Sequence, residues 1–329
     1  MDCLQPDYYD SFSCKQGRCR ASCCRGWPIT VSLKDYYRLL SLDCGPALRA
    51  KLDCALHILD NPSEEEYAQL LPNFYGDCPM HRDDGRCALH AALGEDALPL
   101  VCRMYPRGVH GGSAPRRCCA NSCEAVLELF LNRAEPIRFV GAREDARSEI
   151  IRLLQDRRYT LSRRILMLGN EQNARPEPSR EDMVWGMRMA RRLLGVADEH
   201  SGSLDAYGSL ILQEMLPAER AVERYREAAA HFARTVPQWE IFFEHMLVNH
   251  VFFKGETDRL HVFAALTAIY VLLRLLGMSW MSGKTDLSAL VDVYAAAFHL
   301  FDHTGFDQNA AGILRGMGVE SGCAVLLSL

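Results

Sequence analysis

Apolar residues recur three and four positions apart through most of the chain, and this helical spacing dominates from about Arg143 onward. It predicts helices over Asp145 to Asp156, Leu161 to Leu168, Arg180 to Leu194, Pro217 to Thr235, Trp239 to Phe253, Asp258 to Gly277 and Leu287 to Phe301. On the fifth of these, Trp239, Phe242, Phe243, Met246, Phe252 and Phe253 read as a core-facing set. The longest apolar run, Val262 to Leu273, holds one threonine and is broken by Arg274, short of the ~20 residues a membrane span needs. It reads as a buried helix, and no membrane partner is expected. Alternation with period two is almost absent, and Ile137 to Val140 is the best strand candidate. Glu171 to Ser179, with two prolines and mixed charge, reads as a linker.

The first third is patterned differently. Ser32-Leu-Lys-Asp35 offers an N-cap with an acid three residues on, and Tyr36, Leu39 and Leu40 follow at helical spacing. Gly45-Pro46 opens a helix whose Leu48, Leu52, Leu56 and Leu59 share a face until Asn61-Pro62 ends it. Asn121-Ser-Cys-Glu124 is expected to cap a helix carrying Val126, Leu127, Leu129 and Phe130. The expected fold class is mainly α. An irregular cysteine-rich region, 1–135, packs on a multi-helix domain, 136–329, with no Rossmann sheet.

Composition narrows the function. An apolar fraction of 49% fits a globular chain, and a net charge of −5 argues against nucleic acid as a partner. Five of the 37 basic residues are lysines, a skew read as the mark of a GC-rich genome. Thirteen of the fourteen cysteines lie between Cys3 and Cys123. The first residues show no basic stretch followed by an apolar run, so a cytoplasmic, reducing location is expected and metal ligation is favoured over disulfides.

The cysteines fall into groups: Cys14, Cys19, Cys23 and Cys24; then Cys78, Cys87 and Cys102; then Cys118, Cys119 and Cys123. Thiolates are soft donors that select zinc, copper(I) or iron–sulfur. Adjacent side chains point in different directions, so Cys23 and Cys24 are expected to serve different tasks. Cys78-x2-His81 with Cys87-x2-His90 offers a rival Cys2His2 zinc set.

The strings FSCKQGRCRASCCRGWPITVSLKDYY, CPMHRDDGRCALHAALGEDALPLVCRMYPR and SCEAVLEL closely resemble the flagellin lysine N-methylase family. More distantly they resemble a wider group of CxxCxxCC-type iron- or zinc-chelating regions. The resemblance implies a cytoplasmic, S-adenosylmethionine-dependent enzyme that methylates surface lysines of flagellin. It also implies a cysteine-ligated [4Fe–4S] cluster, with zinc as the alternative. The positions that match its motif are Cys14, Cys19, Cys23, Cys24, Cys78, Cys87, Cys102 and Cys123. Cys118 and Cys119 do not match, Cys3, Cys44, Cys54 and Cys323 lie outside it, and His81, His90 and Glu124 depart from it.

The residues themselves complicate the cofactor site. No strand–GxGxxG–helix unit occurs, since Gly111-Gly112 follows Arg107-Gly-Val-His, and no CxxxCxxC loop of radical enzymes is present. A methylase built on this chain therefore uses an unconventional site. Arg103 and Arg107 are candidates to hold the cofactor carboxylate, or else to offset the charge of a thiolate cluster. Tyr105 is a candidate proton acceptor, as are Tyr8, Tyr9, Tyr36, Tyr37, Asp83 and Asp84. His245 and His250 fall on different helix faces and are not expected to share a metal. The alternative function is a non-enzymatic zinc- or iron-binding or redox-sensing protein.

Overall fold

The computed structural model describes residues 3–20, 22–25, 29–110, 115–141, 146–169, 179–198, 218–315 and 319–328. Among them are fourteen α-helices and three small sheets of two or three strands, with no Rossmann-type sheet. Gly26, Trp27, Gly111, Gly112 and nearly all of the expected linker lie outside the described residues. The chain forms two compact units, 13–108 and 1–12 together with 109–329. The expected boundary after residue 135 therefore falls inside the larger unit. The reason is packing: Val126, Leu127 and Phe130 are fully buried, and Tyr8 meets Phe130 edge-on at 5.2 Å.

In the smaller unit, α1 (Leu33–Leu40) begins as its sequence dictates, with Ser32 Oγ accepting the Asp35 N–H at 3.2 Å. Asp35 also accepts from Arg38 at 2.9 Å and from the Leu100 N–H at 2.9 Å. That carboxylate ties α1 to the start of α4 (Leu100–Met104). Helix α2 (Pro46–Ala55) opens on proline but stops four residues before Leu59. Leu56–Ile58 instead forms β3, which pairs antiparallel with β4 (Ala68–Leu70), and β4 pairs with β2 (Ile29–Val31). The leucine spacing fits either element. The sheet prevails because Leu71 and Leu59 N–H groups donate to Ala55 and Tyr67 carbonyls at 2.9 and 3.0 Å. Val31, Leu39, Leu52, Leu70, Met80 and Leu89 form the core of this unit.

The larger unit is built around one helix. Its elements are β1 (Gln5–Pro6), β6 (Arg116–Cys119), α5 (Glu124–Leu131), β7 (Phe139–Val140) and α6 (Ala146–Leu154). They continue with α7 (Leu161–Leu168), α8 (Arg180–Asp198), α9 (Ala218–Thr235), α10 (Trp239–Lys254), α11 (Arg259–Trp280) and α12 (Ser288–His303). Phe306–Arg315 (α13) and Val319–Ser328 (α14) complete it. Helix α11, capped by Asp258, is long and apolar enough to cross a membrane, yet 83% of its apolar window is buried inside the protein. It packs against α7, α8, α9, α10, α12, α13 and α14. Gly277 of α11 is required by that packing, because a Cβ there would overlap the Tyr294 hydroxyl, which donates to the Leu273 carbonyl at 2.9 Å. The expected strand survives as β7, paired antiparallel with β1.

Two buried charged groups of this unit, Glu244 and His250, are paired. Glu244 has no exposed side-chain surface and accepts from Arg157 at 2.8 Å and Arg164 at 2.6 Å. His245 lies against the carbonyls of Phe130 and Glu135, whereas His250 lies 2.8 Å from Asp302 and 3.1 Å from Asp307. The two histidines therefore have separate surroundings. Asn121 does not cap α5, whose N-cap is Cys123. It is drawn into a buried network, donating to the Met246 carbonyl at 2.9 Å and accepting from Asn249 at 2.7 Å.

Candidate metal centre

Four cysteines from four segments of the smaller unit gather on its core: Cys24, Cys78, Cys87 and Cys102. The chain brings them together through local backbone geometry. The Cys78 N–H donates to the Cys24 carbonyl at 2.7 Å, and beside it Arg25 pairs with Asp77 both as a β-bridge and as an ion pair at 2.9 Å. Cys87 bridges His81 and forms the N-cap of α3 (Ala88–Leu93), while the Ala88 N–H donates to the Met80 carbonyl at 2.7 Å. Cys102 projects from α4, which Asp35 anchors.

The electrostatics mark these as one group. Burial pushes the Cys102 thiol up, and Cys24, Cys78 and Cys87 push it further. Burial also raises Cys78 to about 11, with the neighbouring charges of Cys24 and Cys87 adding to it. Cys24 is raised first by its hydrogen bond to Cys23, then by burial. Against this, backbone N–H groups of Met80 and His81 hydrogen-bond Cys78, and those of Leu89 and His90 hydrogen-bond Cys87, lowering both. Backbone donors on sulfur favour thiolate, the form that ligates a soft metal. Among the described residues, no three Cys, His, Asp or Glu side chains are arranged so as to hold a metal ion. The four thiols pack on one core and act on one another's charge without forming a preformed ligand set. Their donor chemistry fits a cysteine-ligated zinc or iron–sulfur centre.

The remaining matched cysteines are placed differently. Cys14 and Cys23 are exposed and Cys19 is half-buried, all in the smaller unit. Their loop is docked by two glycines: Gly17 (φ 81°) and Gly85 (φ 78°) meet backbone to backbone, so a Cβ on Gly85 would overlap the Gly17 carbonyl. Cys123 belongs to the larger unit. Cys118 and Cys119, outside the matched motif, are buried there near Tyr8. Of the Cys2His2 alternative, His81 is half-buried and bridges Cys87 through its backbone, whereas His90 is exposed.

The candidate cofactor-handling side chains are mostly engaged. Arg103 lies 3.5 Å from the exposed Asp96. Tyr105 and Arg107, both half-buried, follow α4. Tyr8 is buried with its hydroxyl on Asn249, and burial followed by the Cys119 and Cys118 charges raises it well above the usual tyrosine value. Asp84 is held down by Arg86 and Arg82. Sequence reading missed the Gly17–Gly85 contact. Its signal was present in two turn glycines, each followed by arginine in the same motif, but nothing in the spacing paired them.

Comparison with known proteins accords with the motif. The chain is 24% identical over 254 residues to a lysine-N-methylase of Salmonella choleraesuis, covering 74% of this chain and 62% of that protein. A lysine-N-methylase of Salmonella typhimurium gives the same identity and coverage. This chain is similar to the lysine-N-methylases. A flagellar biosynthetic protein FliU of Salmonella muenchen is 26% identical over 149 residues, 45% of this chain and 88% of its own. The chain thus spans under two-thirds of the length of the lysine-N-methylases it matches. No protein-family model and no solved structure matches.

Proposed function

We propose that this chain is a cytoplasmic protein-lysine N-methyltransferase that uses S-adenosylmethionine to methylate flagellin. Its similarity to lysine-N-methylases over 74% of the chain carries the reading, and the FliU-like relative supports a flagellar substrate. We assign the resident centre to Cys24, Cys78, Cys87 and Cys102, with [4Fe–4S] favoured and zinc the alternative. When bound, such a centre supplies metal–thiolate links among four loops and, as iron–sulfur, redox capacity.

The chain's own task is to hold a neutral lysine amine in line with the methyl sulfonium. The amine lone pair forms the new C–N bond as the C–S bond breaks, giving S-adenosylhomocysteine and a proton that a basic group must take. Arg103, Tyr105 and Arg107 follow Cys102 directly, so ordering that cysteine orders them. The test is anaerobic purification, metal analysis, and incubation with flagellin and S-adenosylmethionine. Single-methyl mass increments on flagellin lysines are expected from loaded protein and not from metal-free protein. Full loading without methyl incorporation overturns the enzymatic reading in favour of a metal-binding or redox-sensing protein, which the four gathered thiols support equally well.

A further inference from the structure

The larger unit contains a buried positive centre that none of this chemistry uses. Arg116, on β6, is only 9% exposed, yet it has no hydrogen bond or ion pair with any described side chain, and its Nε is buried without a partner. Its guanidinium lies on Gly255, the left-handed residue (φ 74°) after α10, where a Cβ would overlap Nη2. Arg147 of α6, 5% exposed, stands close enough that burial and the like charge of Arg116 lower it to about 10. His110 is held below the usual histidine value by burial and by Arg116, and its Nε2 is also buried without a partner. Asp302, the acid that acts on His110, is committed to His250 and to the Asn121 N–H at 2.7 Å, and the acidic group that acts on Arg116 is the Cys118 thiol, which burial keeps protonated.

A buried guanidinium is normally paired, because desolvating an unpaired charge is costly. Here the charged neighbour is a second guanidinium, Arg147, and the missing side chain at Gly255 lets the planar fork lie against the backbone. That arrangement suits an oxyanion, which accepts two parallel N–H donors from arginine. We propose that Arg116, flanked by Arg147 and floored by Gly255, is an oxyanion-binding site for a carboxylate or phosphate group. The site stands independently of the methylase reading.

The test uses the full, metal-loaded chain in a non-phosphate buffer, titrated with inorganic phosphate and separately with S-adenosylmethionine. At least one anion should raise the melting temperature saturably. Arg116→Gln should weaken that binding at least tenfold while leaving the anion-free melting temperature equal or higher, since an unpaired buried charge is removed. Competition between the two ligands identifies the cofactor's carboxylate as the source, and phosphate binding without competition identifies free phosphate. Phosphate binding in a protein that ignores S-adenosylmethionine sustains the site while sinking the methylase reading. Should Arg116→Gln not fold, Arg116→Lys, which keeps the charge but loses the planar fork, carries the binding comparison. Two results overturn the proposal: neither anion binds, or the variant that folds binds as tightly as the parent.

Discussion

The Cys24 carbonyl accepts the Cys78 backbone N–H at 2.7 Å, so the first and second cysteine groups are joined through their main chains before any thiol is considered. The grouping of Cys24, Cys78, Cys87 and Cys102 is thus set by the fold of residues 13–108. Serine at Cys78, Cys87 or Cys102 should abolish bound metal and lower the stability of this unit. Serine at Cys123, which lies in the other unit, should leave metal content unchanged. Metal analysis of the four variants decides, and equal loss in Cys123→Ser would refute the four-cysteine assignment.

Gly85→Ala places a side chain both in left-handed backbone and against the Gly17 carbonyl. A loss of more than about 1 kcal/mol is expected, together with faster proteolysis of the Cys14–Cys19 loop. Gly76→Ala, also at positive φ but with open space around it, is the control. The two should share the backbone cost but only Gly85→Ala should release the loop.

Glu244→Ala leaves Arg164, almost fully buried, without its carboxylate. The expected cost is about 3–5 kcal/mol, most of it from Arg164, because Arg157 is a third exposed and can rehydrate. Denaturant melts of Glu244→Ala and Arg157→Ala should therefore differ by more than twofold in stability loss.

His250 supplies a pH signature. Burial acts to lower its pKa, but Asp307 and Asp302 together outweigh this and push it up to about 9. A raised folded pKa means the contribution is complete below the unfolded value, about 6.5, and fades as pH rises through 9. Asp307 is held low, so its share is lost instead in strong acid. Melting temperature should fall between pH 7 and 10 in the parent and less steeply in His250→Gln.

The long helices were legible because burial of one face enforces a period that survives in the sequence: Leu161–Leu168 matches its expected bounds. The last two helices were missed, since Ala310, Ala311 and Gly312 in one and Ser321, Gly322 and Ala324 in the other blur the apolar stripe. Leu56 was misread because its spacing suits a helix while its hydrogen bonds lie in a sheet. Cysteine identity was visible in the motif. Which four would converge was not, because it depends on Asp35 reaching Leu100 and on Cys24 reaching Cys78.

The arrangement of the larger unit also sets a timetable for its folding. Tyr8 is among the first residues made, yet its partner Asn249 emerges hundreds of residues later. Helix α11 likewise appears before α12, α13 and α14, which cover it. Such long-range closure is slow, whereas residues 13–108 can complete their own contacts in the interval. The four thiols of residues 13–108 can therefore be gathered before the larger unit closes.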